Sequence, residues 1–327
     1  MLKKLVIFLS VIVVLFIISH FIRFNNPKII YGVTFNDEFA RYLQLDPRQV
    51  YGKILYDWGF KYVRLSAQWN NIEPEMGQYN FTELDWQMDE AAKVGAKVTL
   101  ALGQKTPRWP ECHSPTWTRQ FGDQEYYQKL RDFMAVVVKR YAHHPALEIW
   151  QVENEPFLDF GVNCRPFTTD ELASEMATVK RLDSDHKIII TDSGELSSWR
   201  QTAGAGDLFG TTMYRVVWNK YTGYFNYDWV PALFYRFKLR LNGQPIDTAY
   251  VSELQAEPWI NDNDLVSVSL ADQYKSMNIR RLQKNINFAA STGMPRAYLW
   301  GAEWWYWLGT KGENEIPSFI KALNNKE

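Results

Sequence analysis

Cysteine is nearly missing from this sequence: Cys112 and Cys164 are its only two in 327 residues. Two thiols build neither a disulfide framework nor a cysteine-rich zinc site. An excess of charge is missing too, since 36 Lys and Arg face 37 Asp and Glu, for a net charge of −1. That balance leaves no basic footprint for a nucleic acid and no acidic tail. The five histidines, at 20, 113, 143, 144 and 186, show no metal-ligand spacing, and His143-His144 before Pro145 reads as a surface loop. There is no Gly-x-Gly-x-x-Gly after the first apolar strand pattern, no linker rich in Gly, Pro or Ser, and no internal repeat. These absences argue against a dinucleotide-binding sheet and against several domains. What is plentiful is aromatic. Phe, Trp and Tyr make up 16% of the chain, with 14 Trp. Trp is a stacking platform for flat, partly apolar ligands such as sugar rings.

One long hydrophobic run stands at the N-terminus. Lys3 and Lys4 precede an uncharged stretch from Leu5 to Ser19 that continues through His20 to Ile22. A core helix of that length would carry a polar face, and this one has only Ser10 and Ser19. About 17 apolar residues suffice to span a bilayer. Positive residues ahead of the run favour a cytoplasmic N-terminus with the remainder exported. No Ala-x-Ala type of cleavage site follows. Residues 1–24 are therefore expected to be a transmembrane signal anchor that holds residues 25–327 outside the cell membrane. A cleaved signal peptide, which would leave the protein secreted, is the alternative. In an oxidising compartment Cys112 and Cys164 could pair, or remain two separate thiols.

From Lys28 onward, strand and helix patterns alternate. Short runs rich in β-branched and aromatic residues occupy 29–35, 62–66, 98–102, 148–152, 187–191, 208–214, 248–251 and 297–300. Between them, Asp46-Pro47 opens a helix that ends near Gly59. Thr82 opens another, which carries Leu84, Met88, Ala91 and Ala92 and stops at Gly95. Tyr127, Leu130, Phe133, Met134, Val137, Val138 and Tyr141 form an apolar stripe at helical spacing. Thr169 caps a helix through Leu182, and a long helix carries Tyr274, Met277, Leu282, Ile286 and Ala290 before Gly293. Eight such strands predict a single parallel (β/α)8 TIM barrel, with a doubly wound open sheet as the alternative. The loops after the third and fourth strands, which hold Cys112 and Cys164, would then lie side by side.

Barrel chemistry sits at the C-terminal ends of the strands. The fourth strand runs Ile149-Trp150-Gln151-Val152-Glu153 into Asn154-Glu155-Pro156, and the seventh runs Tyr250-Val251-Ser252 into Glu253. The second contributes Arg64 and the sixth ends at Tyr214. A strand-end glutamate alone can be merely solvated or ion-paired. Two of them, on strands that face each other across a barrel mouth, are a more specific signal.

The segment Trp150-Gln151-Val152-Glu153-Asn154-Glu155-Pro156 resembles the acid/base segment of the retaining glycoside hydrolases of clan A, the group that includes cellulase- and mannanase-like barrels. Val251-Ser252-Glu253 resembles their nucleophile strand. The stretch from Trp69-Asn70-Asn71-Ile72-Glu73-Pro74 to Gly77-Gln78-Tyr79-Asn80-Phe81, followed by Leu84-Asp85, is similar to a signature of several families of the clan. The resemblance implies Glu155 as general acid/base and Glu253 as nucleophile. It implies that Asn154 holds the sugar's 2-hydroxyl, that Arg64 and Tyr214 pair with the nucleophile, and that Trp300 floors the sugar at the cleavage point. The sequence departs from the familiar members after the nucleophile, where Glu253-Leu254-Gln255-Ala256-Glu257-Pro258-Trp259 makes Glu257 a rival. Glu195 and Glu303 also fall at the mouth, where substrate binding or an ion pair suits them.

Retaining cleavage needs one carboxylate to attack the anomeric carbon and one carboxylic acid to protonate the leaving oxygen, about 5–5.5 Å apart. No metal or organic cofactor is required. Trp69, Trp109, Trp259, Trp300, Trp304 and Trp305 all follow strands on the active-site side. About half belong to the core on this reading, and the others suit a row of stacked rings. The expected function is therefore endo-acting hydrolysis of a β-glucan, mannan or xylan by a monomer with a carbohydrate substrate. An exo-acting β-glycosidase with a closed pocket and a carbohydrate-binding pseudoenzyme are the alternatives. The presence of Arg64, Asn154, Glu155 and Glu253 together counts against the pseudoenzyme.

Overall fold

Eight parallel strands close on themselves in a computed structural model that describes residues 18–20, 22, 24, 28–260 and 264–324. In chain order the strands are β1 (Ile30–Thr34), β2 (Tyr62–Ser66), β3 (Lys97–Leu102), β4 (Leu147–Val152), β5 (Lys187–Asp192), β6 (Leu208–Met213), β7 (Val216–Asn219), β8 (Gly223–Asn226), β9 (Ala249–Gln255) and β10 (Arg296–Trp300). The barrel order is β1-β10-β9-β6-β5-β4-β3-β2, and β7 and β8 form a separate antiparallel hairpin. All eight expected barrel strands are present. They read as nearly continuous apolar runs because a parallel barrel buries both of their faces, against helices outside and side chains within. The seventh, β9, continues to Gln255 rather than stopping at 251, so Glu253 lies inside a strand.

The helices follow their caps. Asp46 accepts from the Arg48 N–H and starts Pro47–Gly52, which continues as a π-turn over Lys53–Asp57. Thr82–Lys93 and Asp123–Tyr141 lie where their apolar stripes put them. Thr168, not Thr169, caps Thr169–Leu182, its hydroxyl accepting from the Glu171 N–H. The long helix expected to reach Gly293 is broken in two, Leu270–Gln273 and Ile279–Thr292. Asn278 causes the break: its side chain accepts from the Arg281 N–H at 3.0 Å, a local bond that competes with the helical ladder. The β7–β8 hairpin had no counterpart in the sequence patterns. Its support is distant in the chain: Gln255, at the end of β9, accepts from the Arg215 and Val216 N–H groups and donates to the Val216 carbonyl at 2.7 Å.

No helix among the described residues is long and apolar enough to cross a membrane. The run expected to be an anchor lies outside the described residues, apart from Ile18, Ser19, His20 and Ile22.

Candidate active site

The chain turns sharply where β4 ends. Glu153 and Glu155 both take left-handed backbone angles, with φ of 61° and 46°. Such angles are uncommon for residues with a Cβ and are concentrated at functional sites. The neighbours hold the turn in place. The Glu153 carboxylate accepts from the Gln104 N–H at 2.5 Å and the Lys105 N–H at 2.7 Å. Gly103, with φ of 135°, leaves room for that carboxylate, which any Cβ there would strike. Lys105 Nζ donates to the Glu155 and Leu158 carbonyls, and the Glu155 N–H donates to Thr191 Oγ1 at 3.0 Å. Glu153 is thus an internal strut, and Glu155 is the residue that reaches the mouth.

Across the barrel, β9 carries a bulge. Thr211 of β6 aligns with Val251, but the next residue, Thr212, aligns with Glu253, so Ser252 is the extra residue. A bulge re-aims the side chain that follows it. Here that side chain is Glu253, whose Oε1 accepts from Arg64 Nη1 at 2.8 Å and whose Oε2 accepts from the Tyr214 hydroxyl at 2.8 Å. The remaining donors of Arg64 go to Gln151 Oε1 and Asn154 Oδ1, each at 2.7 Å. One buried guanidinium therefore ties the ends of β2, β4 and β9 together. Arg64, Asn154, Glu155, Tyr214 and Glu253 meet as the sequence placed them.

The electrostatics separate the two glutamates. Burial first, then the Glu253 and Glu111 carboxylates, push the Glu155 carboxyl well above the ordinary range. Like charges that crowd a desolvated carboxyl favour its protonated form, the form a general acid needs. Thr212 Oγ1 donates to Glu155 Oε1 at 3.1 Å. Glu253 instead accepts from a guanidinium and a phenol.

Sequence reasoning missed Glu111. It is buried, accepts from Asn154 Nδ2 at 3.1 Å, and is pushed up to about 7 by burial and then by Glu253. Its only sequence signal was a carboxylate next to Cys112, in a loop already assigned to the mouth. That loop is braced by a disulfide between Cys112 and Cys164, with Cα atoms 5.3 Å apart. Gly161, at φ of 132°, passes so near that a Cβ would lie 2.6 Å from Cys164 Sγ.

A cavity of about 380 Å³ adjoins this centre, and Glu111, Tyr214, Glu257, Trp259 and Trp300 line it. Trp109 and Phe160 stand at its rim, with ring centroids 5.5 Å apart. Trp69, expected to bind substrate, is not in it. That ring is fully buried, flat against Phe133 at 5.6 Å and edge-on to Trp117, with Nε1 donating to Glu73. The helix Trp69–Ile72 carries it against Tyr126 and Phe133 of the helix Asp123–Tyr141. Trp304 and Trp305 are fully buried too. Trp300 reaches the cavity, but Arg108 sits over its ring, the guanidinium carbon 4.3 Å from the centroid. Arg108 also pairs with Glu257 and with Glu303, and Glu257 Oε1 accepts from Trp300 Nε1 at 2.8 Å. The rival nucleophile is thus committed to a clamp beyond the end of β9. Glu195 bonds the Tyr235 hydroxyl at 2.6 Å. Among the described residues there is no cluster able to hold a metal ion.

A (β/α)8 barrel with glutamates at the ends of two facing strands, one of them paired to an arginine of β2, defines a glycoside hydrolase of clan A. Residues 52–306 match the family model of glycoside hydrolase family 42, described as beta-galactosidase, and the chain belongs to that family. It is 29% identical over 113 residues to beta-galactosidase GanA of Bacillus subtilis, a match covering 29% of this chain and 16% of that protein. The chain spans less than a third of the length of the beta-galactosidases it matches. Among solved structures, the beta-galactosidase of Marinomonas ef1 superposes with a TM-score of 0.57 at 14% identity, over 83% of this chain and 54% of that one. Xylanase 10B of Thermotoga maritima superposes with a TM-score of 0.53 at 16% identity, over 84% and 83%. At those identities the likeness is one of fold.

Proposed function

We propose that this protein hydrolyses β-glycosidic bonds with retention, Glu253 attacking the anomeric carbon and Glu155 protonating the leaving oxygen. The observation that carries the reading is the contrast between the two carboxyls: Glu253 is held by Arg64 and Tyr214, while Glu155 is buried beside it and pushed toward its protonated form. Attack by Glu253 forms a glycosyl ester and expels an alcohol that takes the Glu155 proton. The ester removes the negative neighbour, so the Glu155 carboxyl drifts back down and can accept a proton from water, which releases the sugar.

The substrate reading changes with the aromatics. A long row of rings carried the endo-glycanase expectation, and Trp69, Trp304 and Trp305 belong to the core. What remains is a compact cavity under Trp109, Trp259 and Phe160, which supports exo action on a terminal sugar. The family's description makes a β-galactoside the first substrate to try. Endo action on a polysaccharide is the second reading, supported by the exposed Trp109–Phe160 pair, which offers a stacking surface beyond the cavity. Residues 1–24 are proposed to anchor the barrel outside the cell membrane. A disulfide at the mouth suits that compartment.

Aryl β-glycosides, oligosaccharides and polysaccharides, followed by proton NMR of the first anomer released, test the reading. Retention with one sugar released per cleavage supports it. Glu253→Ala should abolish turnover on every substrate. Glu155→Ala should lose about 10²–10⁴-fold on unactivated sugars but little in the glycosylation step with dinitrophenyl leaving groups. Added azide should then yield the β-glycosyl azide, whereas an α-azide would overturn retention.

A further inference from the structure

Helices that coat a barrel bury one stripe and present polar residues outward. Asp123–Tyr141 follows the rule: its exposed positions include Asp123, Gln124, Glu125, Gln128, Asp132 and Lys139. The helix between β8 and β9, Ala232–Leu241, breaks it. Its buried stripe is Ala232, Tyr235, Lys238 and Leu239, yet its outward stripe is also apolar: Phe234, Phe237 and Leu241 are 37%, 56% and 67% exposed. Trp229, just ahead of the helix, is 55% exposed. Trp229, Phe234 and Phe237 line a groove of about 920 Å³, and Leu241 continues the exposed apolar stripe beyond it.

The groove's charge has one sign at its surface. Arg236 and Arg240 line it, and its one acidic lining residue, Glu195, is buried on the Tyr235 hydroxyl. Aromatic rings with flanking arginines are the chemistry of the bilayer interface, where rings sit at headgroup level and basic chains reach anionic phosphates.

The N-terminal run arrives at this place. His20 Nε2 bonds the Trp229 carbonyl at 2.8 Å. The Phe24 N–H donates to the Ser291 carbonyl at 3.0 Å, and the Arg236 guanidinium lies 3.9 Å over the Phe24 ring. Ser19 and Phe24 line the groove, and Ile18 and Ile22 are 48% and 38% exposed. The uncharged run from Leu5 thus joins the barrel at the edge of its apolar flank.

We propose that the Trp229–Leu241 flank is a membrane-docking surface that lies on the headgroups of the outer face of the bilayer its own N-terminal run enters. Docking would hold the barrel on its side against the membrane rather than free at the end of a tether. The inference rests on the anchor reading above, and its test separates the two.

The full chain, reconstituted in vesicles of phosphatidylcholine and phosphatidylglycerol at 3:1, carries a fluorescent thiol label at Phe237→Cys, Leu241→Cys or, as control, Gln124→Cys. Both native cysteines are in the disulfide, so the introduced thiol is unique. Flotation reports anchoring, and quenching by lipids with nitroxide on the acyl chain reports docking. Labels at 237 and 241 should be quenched several-fold more than the label at 124, and Arg240→Glu should reduce that difference. Protein that floats with all three labels equally unquenched overturns docking and leaves the anchor standing. Protein that fails to float overturns both. Labels at 237 and 241 shielded without lipid quenching also overturn it. Cross-linking to residues 1–17 would then identify that segment as the occupant, and a dimer would identify a second copy.

Discussion

Arg108 lies between two aromatic faces, its guanidinium carbon 3.7 Å from the Phe39 centroid and 4.3 Å from that of Trp300. The ring that the clan resemblance offers as a sugar floor is therefore capped on one face by a cation, and that cation is anchored by Glu257 and Glu303. Arg108 itself has a φ of 96°, so the loop is bent to deliver it. This side of the cavity is therefore a charged, preassembled wall.

Replacing that cation should be costly. Arg108→Met leaves Glu257 and Glu303 buried without their partner, and breaking such a pair destabilises by about 3–5 kcal/mol. Arg108→Lys should recover only part of this, because a single ammonium does not reproduce the paired donors of the guanidinium. Denaturant unfolding of the two variants measures it. A Met variant as stable as the parent would show that the clamp is not structural.

Two tryptophans should behave oppositely. Trp69→Ala empties a fully buried site and should cost about 3–5 kcal/mol in unfolding free energy. Trp109 is 52% exposed at the rim, so Trp109→Ala should leave stability nearly unchanged and raise KM for longer substrates more than for aryl glycosides. Melting curves and kinetics on both substrate lengths separate the outcomes.

Glu111 should tune the acid. Its carboxylate is among the causes that raise Glu155, so Glu111→Gln removes a like charge and lowers the Glu155 carboxyl. The acid must be protonated to work, so activity is lost as pH rises through its pKa. The alkaline limb of kcat/KM should therefore move to lower pH in Glu111→Gln. A limb that stays in place would remove Glu111 from the acid's environment.

Buried carboxyls also set the pH dependence of stability. Burial pushes Glu153, Glu195 and Glu303 up to about 7 from 4.5. Below pH 4.5 the folded and unfolded chains both hold these protons. Between 4.5 and about 7 only the folded chain keeps them, so stability falls as pH rises through that window and levels off above it. Carboxyls held low by partners, such as Asp85 beside Arg140 and Asp228 beside Lys284 and Arg281, act in the opposite sense, below 3.8. Thermal melts from pH 5 to 8 should show Tm declining, and a Tm that rises steadily with pH contradicts it.

The eight strands, their order along the chain and the two strand-end glutamates were determined by the sequence itself, because they rest on local signals. Unbroken apolar runs, caps and Gly stops act within a few residues of themselves. The Arg64–Glu253 pairing followed once those strands were closed into a barrel. What tertiary structure alone decided depends on residues far apart in the chain. The bulge at Ser252 that aims Glu253 arises in the pairing of β9 with β6. The hairpin of β7 and β8 depends on Gln255, 39 positions beyond the Val216 it bonds. Which tryptophans line the cavity was decided by what each ring met: Trp69 found Phe133, Trp300 found Arg108, and Trp109 found Phe160 at the rim. An indole reads the same in the sequence whether it fills a core or a sugar site, since burial is a property of its neighbours.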